Sequence, residues 1–191
     1  GIGCFEAPLT AQLQRAWGDC LQLPRGLDVR NYLVRRAPGN HPREFGRDAR
    51  EPHLAVAAEL RPTLVKLGDE WSGKASSAIQ RCKLLEAYFQ EHFQYGFGYP
   101  FTEKQEPVLS FLNDRPAAHC EMFASSLALM LRCYSIPTRY VNGFIVKERS
   151  PFSAYSIVRG RHAHAWVEAY IEGTGWILLD PTPPQFTQPE E

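Results

Sequence analysis

The sequence predicts an α+β fold, and three observations predict it. Apolar residues recur at helical spacing through the middle of the chain, most clearly at Phe123, Leu127, Met130, Leu131 and Tyr134, one stripe of a buried helix. After Ile136-Pro137 the period drops to two, so that 138–146 and 164–171 read as strands, with 155–158 as a shorter one. Gly173-Thr174-Gly175 then forms a turn into a last strand over 176–179, which stops at Asp180-Pro181. Helices first and antiparallel strands afterwards place a helix against a sheet rather than in βαβ units.

The elements follow in order. Residues 1–52 hold Pro8, Pro24, Pro38 and Pro42, a charged patch over 43–50 and a short apolar run at Tyr32-Leu33-Val34. They read as an irregular N-terminal extension with some strand, packed on a main domain over 53–191. Leu54, Ala57, Ala58, Leu64, Val65 and Leu67 recur at near-helical spacing, with a break or restart at Pro62. A cleaner helix covers 76–93, where Ile79, Cys82, Leu85, Phe89 and Phe93 step by three and four and Ser76 or Ser77 can cap it. Within a loop over 95–113, the run Tyr95-Gly96-Phe97-Gly98-Tyr99-Pro100 breaks that pattern and reads as a segment displaying ring faces. It lines a cleft or covers the helix over 76–93. Pro116 stands upstream of the next helix, which therefore begins near His119 or Cys120.

Composition narrows the function. With 44% hydrophobic and 22% charged residues, the chain of 191 is an ordinary globular one. A chain of this size buries roughly 70% of its unfolded surface. Twenty-one basic and twenty-one acidic residues cancel, so no overall field would hold a nucleic-acid backbone or an anionic membrane. No apolar run approaches the ~18 residues of a membrane span, and no signal peptide is legible. The start at Gly1-Ile2-Gly3 suggests a domain excised from a longer protein. The five cysteines, Cys4, Cys20, Cys82, Cys120 and Cys133, form no CxxC pair, and four of them read as small buried apolar residues.

Cys120 is the exception. A cysteine in the first turn of a buried helix meets unpaired N–H groups and the positive end of the helix dipole, which favour a thiolate and can hold an oxyanion. A nucleophilic thiol also needs an imidazole, and the imidazole needs a group to orient it. His164 opens one strand and Asp180 closes the next, so both lie near the same end of one hairpin. A tight turn centred on Gly173-Thr174 would set Asp180 opposite Val167, on the wrong face. The pairing therefore requires a bulge or a looser turn.

Three blocks in this order resemble those of the transglutaminase-like superfamily. The stretch His119-Cys120-Glu121-Met122-Phe123-Ala124, continued by Leu131-Arg132 and Ile136 through Phe144, is similar to its cysteine motif. His164-Ala165-Trp166-Val167-Glu168-Ala169-Tyr170 is similar to its histidine motif, and Gly175-Trp176 through Asp180-Pro181-Thr182 to its aspartate motif. Phe111-Leu112 and Tyr155 through Arg159 further resemble the extracytoplasmic domain of bacterial membrane-bound TgpA-type transglutaminases. The family usually has glycine where this chain has Ala118. The resemblance implies a papain-like fold, a thioester intermediate and a Cys120-His164-Asp180 triad. It also implies a periplasmic or extracellular domain, tied to the membrane only by segments outside this chain.

The reading is thus acyl transfer on a glutamine or other amide of a protein or peptide, with a primary amine or water resolving the thioester. A cysteine peptidase or amidase is the alternative enzyme, and a non-catalytic binding module the alternative class. Trp166 shares a strand face with His164 and can shield the imidazole–carboxylate pair, while His119 and Tyr99 are candidates to line the cleft. His162 and His164 form an HxH pair on one strand face that could join Cys120 on zinc. No fourth ligand is spaced for it, so no metal, calcium or other cofactor is expected.

Overall fold

The computed structural model describes residues 51–97, 106–145, 148–149, 151 and 156–184, together with four short N-terminal strands. The chain divides into two compact units, Gly1–Glu44 and Phe45–Glu191. In the first, β1 (Gly3–Glu6) is followed by β2 (Gln14–Arg15), β3 (Leu21–Gln22) and β4 (Leu33–Arg36). Strand β1 pairs antiparallel with β4, and β2 with β3.

The second unit opens with four helices. Helix α1 spans Arg61–Ser72 with Pro62 in its first turn, where the missing N–H has no carbonyl to bond. Pro62 therefore begins the helix instead of interrupting one, and among the described residues upstream of it a 3-10 turn at Glu51–His53 is the helical element. Helix α2 runs Ala78–His92, capped by the Ser77 hydroxyl, which accepts from the Gln80 amide at 3.2 Å. Cys82, Leu85 and Phe89 face the core, while Ile79 is exposed, so the stripe starts one turn later than the spacing suggests.

Helix α3, Pro107–Asp114, corrects the reading of 95–113 as a loop throughout. Glu106 caps it through its carboxylate, Pro107 starts it, and Val108, Phe111 and Leu112 supply a short buried face. Helix α4, Cys120–Cys133, buries Phe123, Leu127, Met130 and Leu131, while Tyr134 just beyond it is only half-buried.

Three strands make the main sheet: β5 (Thr138–Phe144), β8 (Ala163–Ile171) and β9 (Gly175–Leu179), in the antiparallel order β5-β8-β9. Between them β6 (Glu148–Arg149) and β7 (Ser156–Ile157) pair as a small hairpin. Helix α4 is the hub, packed on β5 and β8 and touched by α1, α2 and α3. Phe123 meets Phe89, Phe93 and Phe111 at ring-centroid separations of 6.3, 6.2 and 5.1 Å. Burying each such ring stabilises the fold by about 2–3 kcal/mol, so this cluster sets where α4 lies. Arg132 then fastens the end of α4 to β5, donating to Oγ1 and the carbonyl of Thr138, whose hydroxyl donates back to the Ala128 carbonyl.

Candidate active site

Cys120 is the first residue of α4. The chain enters that helix in extended form at His119, which provides no side-chain cap; the Met122 amide donates to the His119 carbonyl at 3.0 Å, and no side chain caps the amides at the head of the helix. The entering strand is held against the segment after α2: the Gly96 amide donates to the Ala118 carbonyl at 2.9 Å, and the Ala118 amide to the Gln94 carbonyl at 3.2 Å. Ala118 is fully buried and is not in the left-handed region, so this backbone does not require a glycine there.

His164 lies on β8 directly opposite Gly143 of β5. Its Nε2 is 2.8 Å from Oδ2 of Asp180. A carboxylate only accepts, so Nε2 carries the proton and Nδ1 is left for the thiol side. Nδ1 is buried without a hydrogen-bond partner by strict geometry. Burial is the largest single effect on the ring and disfavours its charge. The hydrogen bond to Asp180, the neighbouring Cys120 thiol and the charges of both outweigh it together and raise the imidazole pKa to about 9. Burial likewise pushes the Asp180 carboxyl up, yet the His164 hydrogen bond and charge and the Thr182 amide hold it below the usual range.

The hairpin solves the register problem with a looser turn. Ile171 pairs with Gly175, leaving three loop residues, with Gly173 at φ 78° and Gly175 at φ 92°. Val167 consequently faces Leu179, and Asp180 emerges beside Trp166, on the face that carries His164. Trp166 stacks along His164 at 6.4 Å between ring centroids and 21° between planes. A Cβ added at Gly143 would overlap the Trp166 indole, so glycine leaves the room in which that ring lies. Glu168, next on this face, pairs with Arg139 at 3.7 Å.

Cys120, His164 and His119 line one cavity of about 840 Å³, together with Tyr95, Phe97, Glu121, Asn142, Phe144 and Arg161. Asp180 is absent from that lining and stands behind the imidazole. Tyr99 lies outside the described residues. His162 is not on a strand face with His164 as the HxH spacing suggested. It ends a 3-10 turn, Gly160–His162, and its Nδ1 accepts from the Arg159 amide. Among the described residues no group of three His, Cys, Asp or Glu side chains could hold a metal.

Two residues outside the three motif blocks also reach this site. Glu86 Oε1 accepts from the Asp180 amide at 2.7 Å, and Gln90 Nε2 donates to the Asp180 carbonyl at 2.7 Å. Their i, i+4 spacing on α2 was legible, but nothing local could say what they face.

Residues 65–181 match the transglutaminase-like superfamily. The protein-glutamine gamma-glutamyltransferase of Pseudomonas aeruginosa is 36% identical over 99 residues, 52% of this chain and 15% of that protein. The uncharacterized protein YebA of Bacillus subtilis is 32% identical over 93 residues, 44% of this chain and 12% of that one. Among solved structures, the periplasmic domain of TgpA from P. aeruginosa aligns with a TM-score of 0.69 at 26% identity, covering 92% of this chain and 63% of that domain. The chain thus spans a small part of these curated relatives and under two thirds of the solved domain. Among its described residues no helix is long and apolar enough to cross a membrane. On the match over 65–181, and on helices packed against an antiparallel sheet, this chain belongs to the transglutaminase-like superfamily.

Proposed function

We propose that this domain transfers the acyl group of a glutamine side chain, in a protein or peptide, through a thioester on Cys120 to a primary amine. The observation that supports this most is His164, buried on the wall of the cleft shared with Cys120 and bonded through Nε2 to Asp180. In this reading Nδ1 takes the thiol proton and the thiolate attacks the carboxamide carbon. The developing oxyanion is met by the Cys120 amide at the head of α4. Collapse of that intermediate breaks the C–N bond; the His164 imidazolium gives its proton to the departing ammonia, leaving the thioester. An incoming amine then loses a proton to His164 and takes the acyl group, restoring the thiol.

This chemistry is the activity for which the P. aeruginosa relative at 36% identity is named. A cavity of about 840 Å³ suits a peptide segment better than a lone side chain. By likeness to the periplasmic domain of TgpA, the domain works outside the cytoplasm as part of a membrane-anchored parent protein.

The test is mass spectrometry after incubation with a glutamine-containing peptide and a labelled primary amine. Incorporation of the amine, absent in the Cys120→Ala variant, is the expected result. Deamidated or cleaved peptide alone, at millimolar amine, would make water the acceptor and the protein an amidase or peptidase.

A further inference from the structure

Asp180 is bonded at every polar atom. Oδ2 meets His164, Oδ1 accepts from the Thr182 amide at 3.1 Å, the main-chain N–H donates to Glu86 Oε1, and the main-chain carbonyl accepts from Gln90 Nε2. The two main-chain bonds come from one face of α2, far from Asp180 in sequence. Glu86 is itself steadied: its other oxygen, Oε2, is 2.7 Å from Lys83 Nζ, and its side chain is only 14% exposed. Strand β9 ends at Leu179 and Pro181 has no N–H, so the sheet does not hold the Asp180 peptide itself.

We propose that Glu86 and Gln90 are positioning residues, a clamp on α2 that grips the Asp180 peptide on both sides and thereby aims its carboxylate at His164. The inference rests on the acyl-transfer reading only in assigning Asp180 the orienting role. A main-chain grip is well suited to the task. It constrains the Cα–Cβ direction of Asp180 while leaving both carboxylate oxygens for His164 and Thr182. A misplacement of about 1 Å in such a relay can lower a rate about 100-fold. The charged or titratable groups near the pair are Glu86 and Lys83 from α2 and Cys120 from α4.

The test uses two readouts that need no acyl transfer: the NMR titration of His164 and the rate of Cys120 alkylation by iodoacetamide, both on the intact protein. Glu86→Leu and Gln90→Leu should each lower the His164 midpoint and slow amine incorporation about 10- to 100-fold in kcat, with KM for the peptide little changed. Glu86→Gln, which keeps an acceptor oxygen, should restore most of both. In an Asp180→Ala background Glu86→Leu should add nothing, because no carboxylate remains to be aimed. A His164 midpoint unchanged in Gln90→Leu and in whichever Glu86 variants fold would overturn the clamp. So would a full additional loss in the Asp180→Ala background. His164 shifts of this kind in the variants, with no amine incorporated by the wild-type protein, would instead refute the acyl-transfer reading and leave the clamp standing.

Discussion

At His164 opposing effects meet, and the balance sets two pH dependences. Burial favours the neutral ring, but Asp180 and Cys120 together lift the pKa from 6.5 to about 9. A folded-state value above the unfolded one means that protonated His164 stabilises the fold fully below about 6.5, and that this is lost as pH rises through about 9. Asp180 acts in the opposite sense. Its carboxylate, held below 3.8, contributes fully above that value, and the contribution disappears as acid protonates it. Asp180→Asn should therefore reduce Tm most between these limits, with the difference from wild type shrinking at both extremes; a thermal melt series across pH checks it. The same substitution should move the alkaline limb of amine incorporation from near pH 9 toward 6.5, because the imidazolium that protonates ammonia in the proposed mechanism is lost earlier. An alkaline limb unchanged in Asp180→Asn would mean that another group sustains the imidazolium. Cys82 offers a contrast: burial, then the charge of Glu86, push its thiol up to about 12, which keeps it inert as a nucleophile.

At the scale of elements, the hairpin β8–β9 is the part on which the site depends most directly. A three-residue loop that pairs Ile171 with Gly175 places Asp180 on the His164 face, and a two-residue loop that paired Glu172 with Gly175 would place it opposite Val167. Deleting Thr174 should thus abolish most of the activity, about 100-fold or more, if the loop keeps three residues by pairing Ile171 with Trp176, which slips Asp180 opposite Val167. Deleting one exposed residue from the β6–β7 connection should have a far smaller effect. Comparing the activity of the two deletions, with circular dichroism to establish that the sheet persists, checks this. Helix α4 has a parallel dependence: its N-terminus is placed by Phe123 one turn later, locked among Phe89, Phe93 and Phe111.

For the molecule as a whole, the fold and the candidate site share one core. Phe123 is fully buried at the crossing of three helices, so Phe123→Ala should cost about 3–5 kcal/mol, read from the shift in urea midpoint at constant m. Because Cys120 lies on the next turn, the variant should also lose more activity than an equally destabilising change distant from α4, measured below its unfolding transition. Zero net charge leaves no long-range field for substrate capture. Charge at the cleft is local, with Glu121 beside the nucleophile and Arg161 on the other wall. Salt should accordingly affect KM for charged peptides only modestly.

The amino-acid sequence by itself determined that helices precede antiparallel strands and that α4 starts near His119 or Cys120, and it singled out Cys120, His164 and Asp180 as candidates. All of these rest on local periodicity, proline and glycine placement and short motifs, which a chain carries wherever it folds. It misjudged α3, whose Glu106 cap and Pro107 start were present but whose apolar face is only eight residues long. It also left open whether Pro62 breaks or restarts a helix, which it begins, and set His162 on a strand face. Only the tertiary structure decided the hairpin register, because a one-residue difference in a glycine-rich turn leaves the alternating pattern of both strands intact. The grip of Glu86 and Gln90 on Asp180 was likewise invisible. It joins residues 94 and 90 positions apart, and such bonds follow from how α2 packs, which no local pattern encodes.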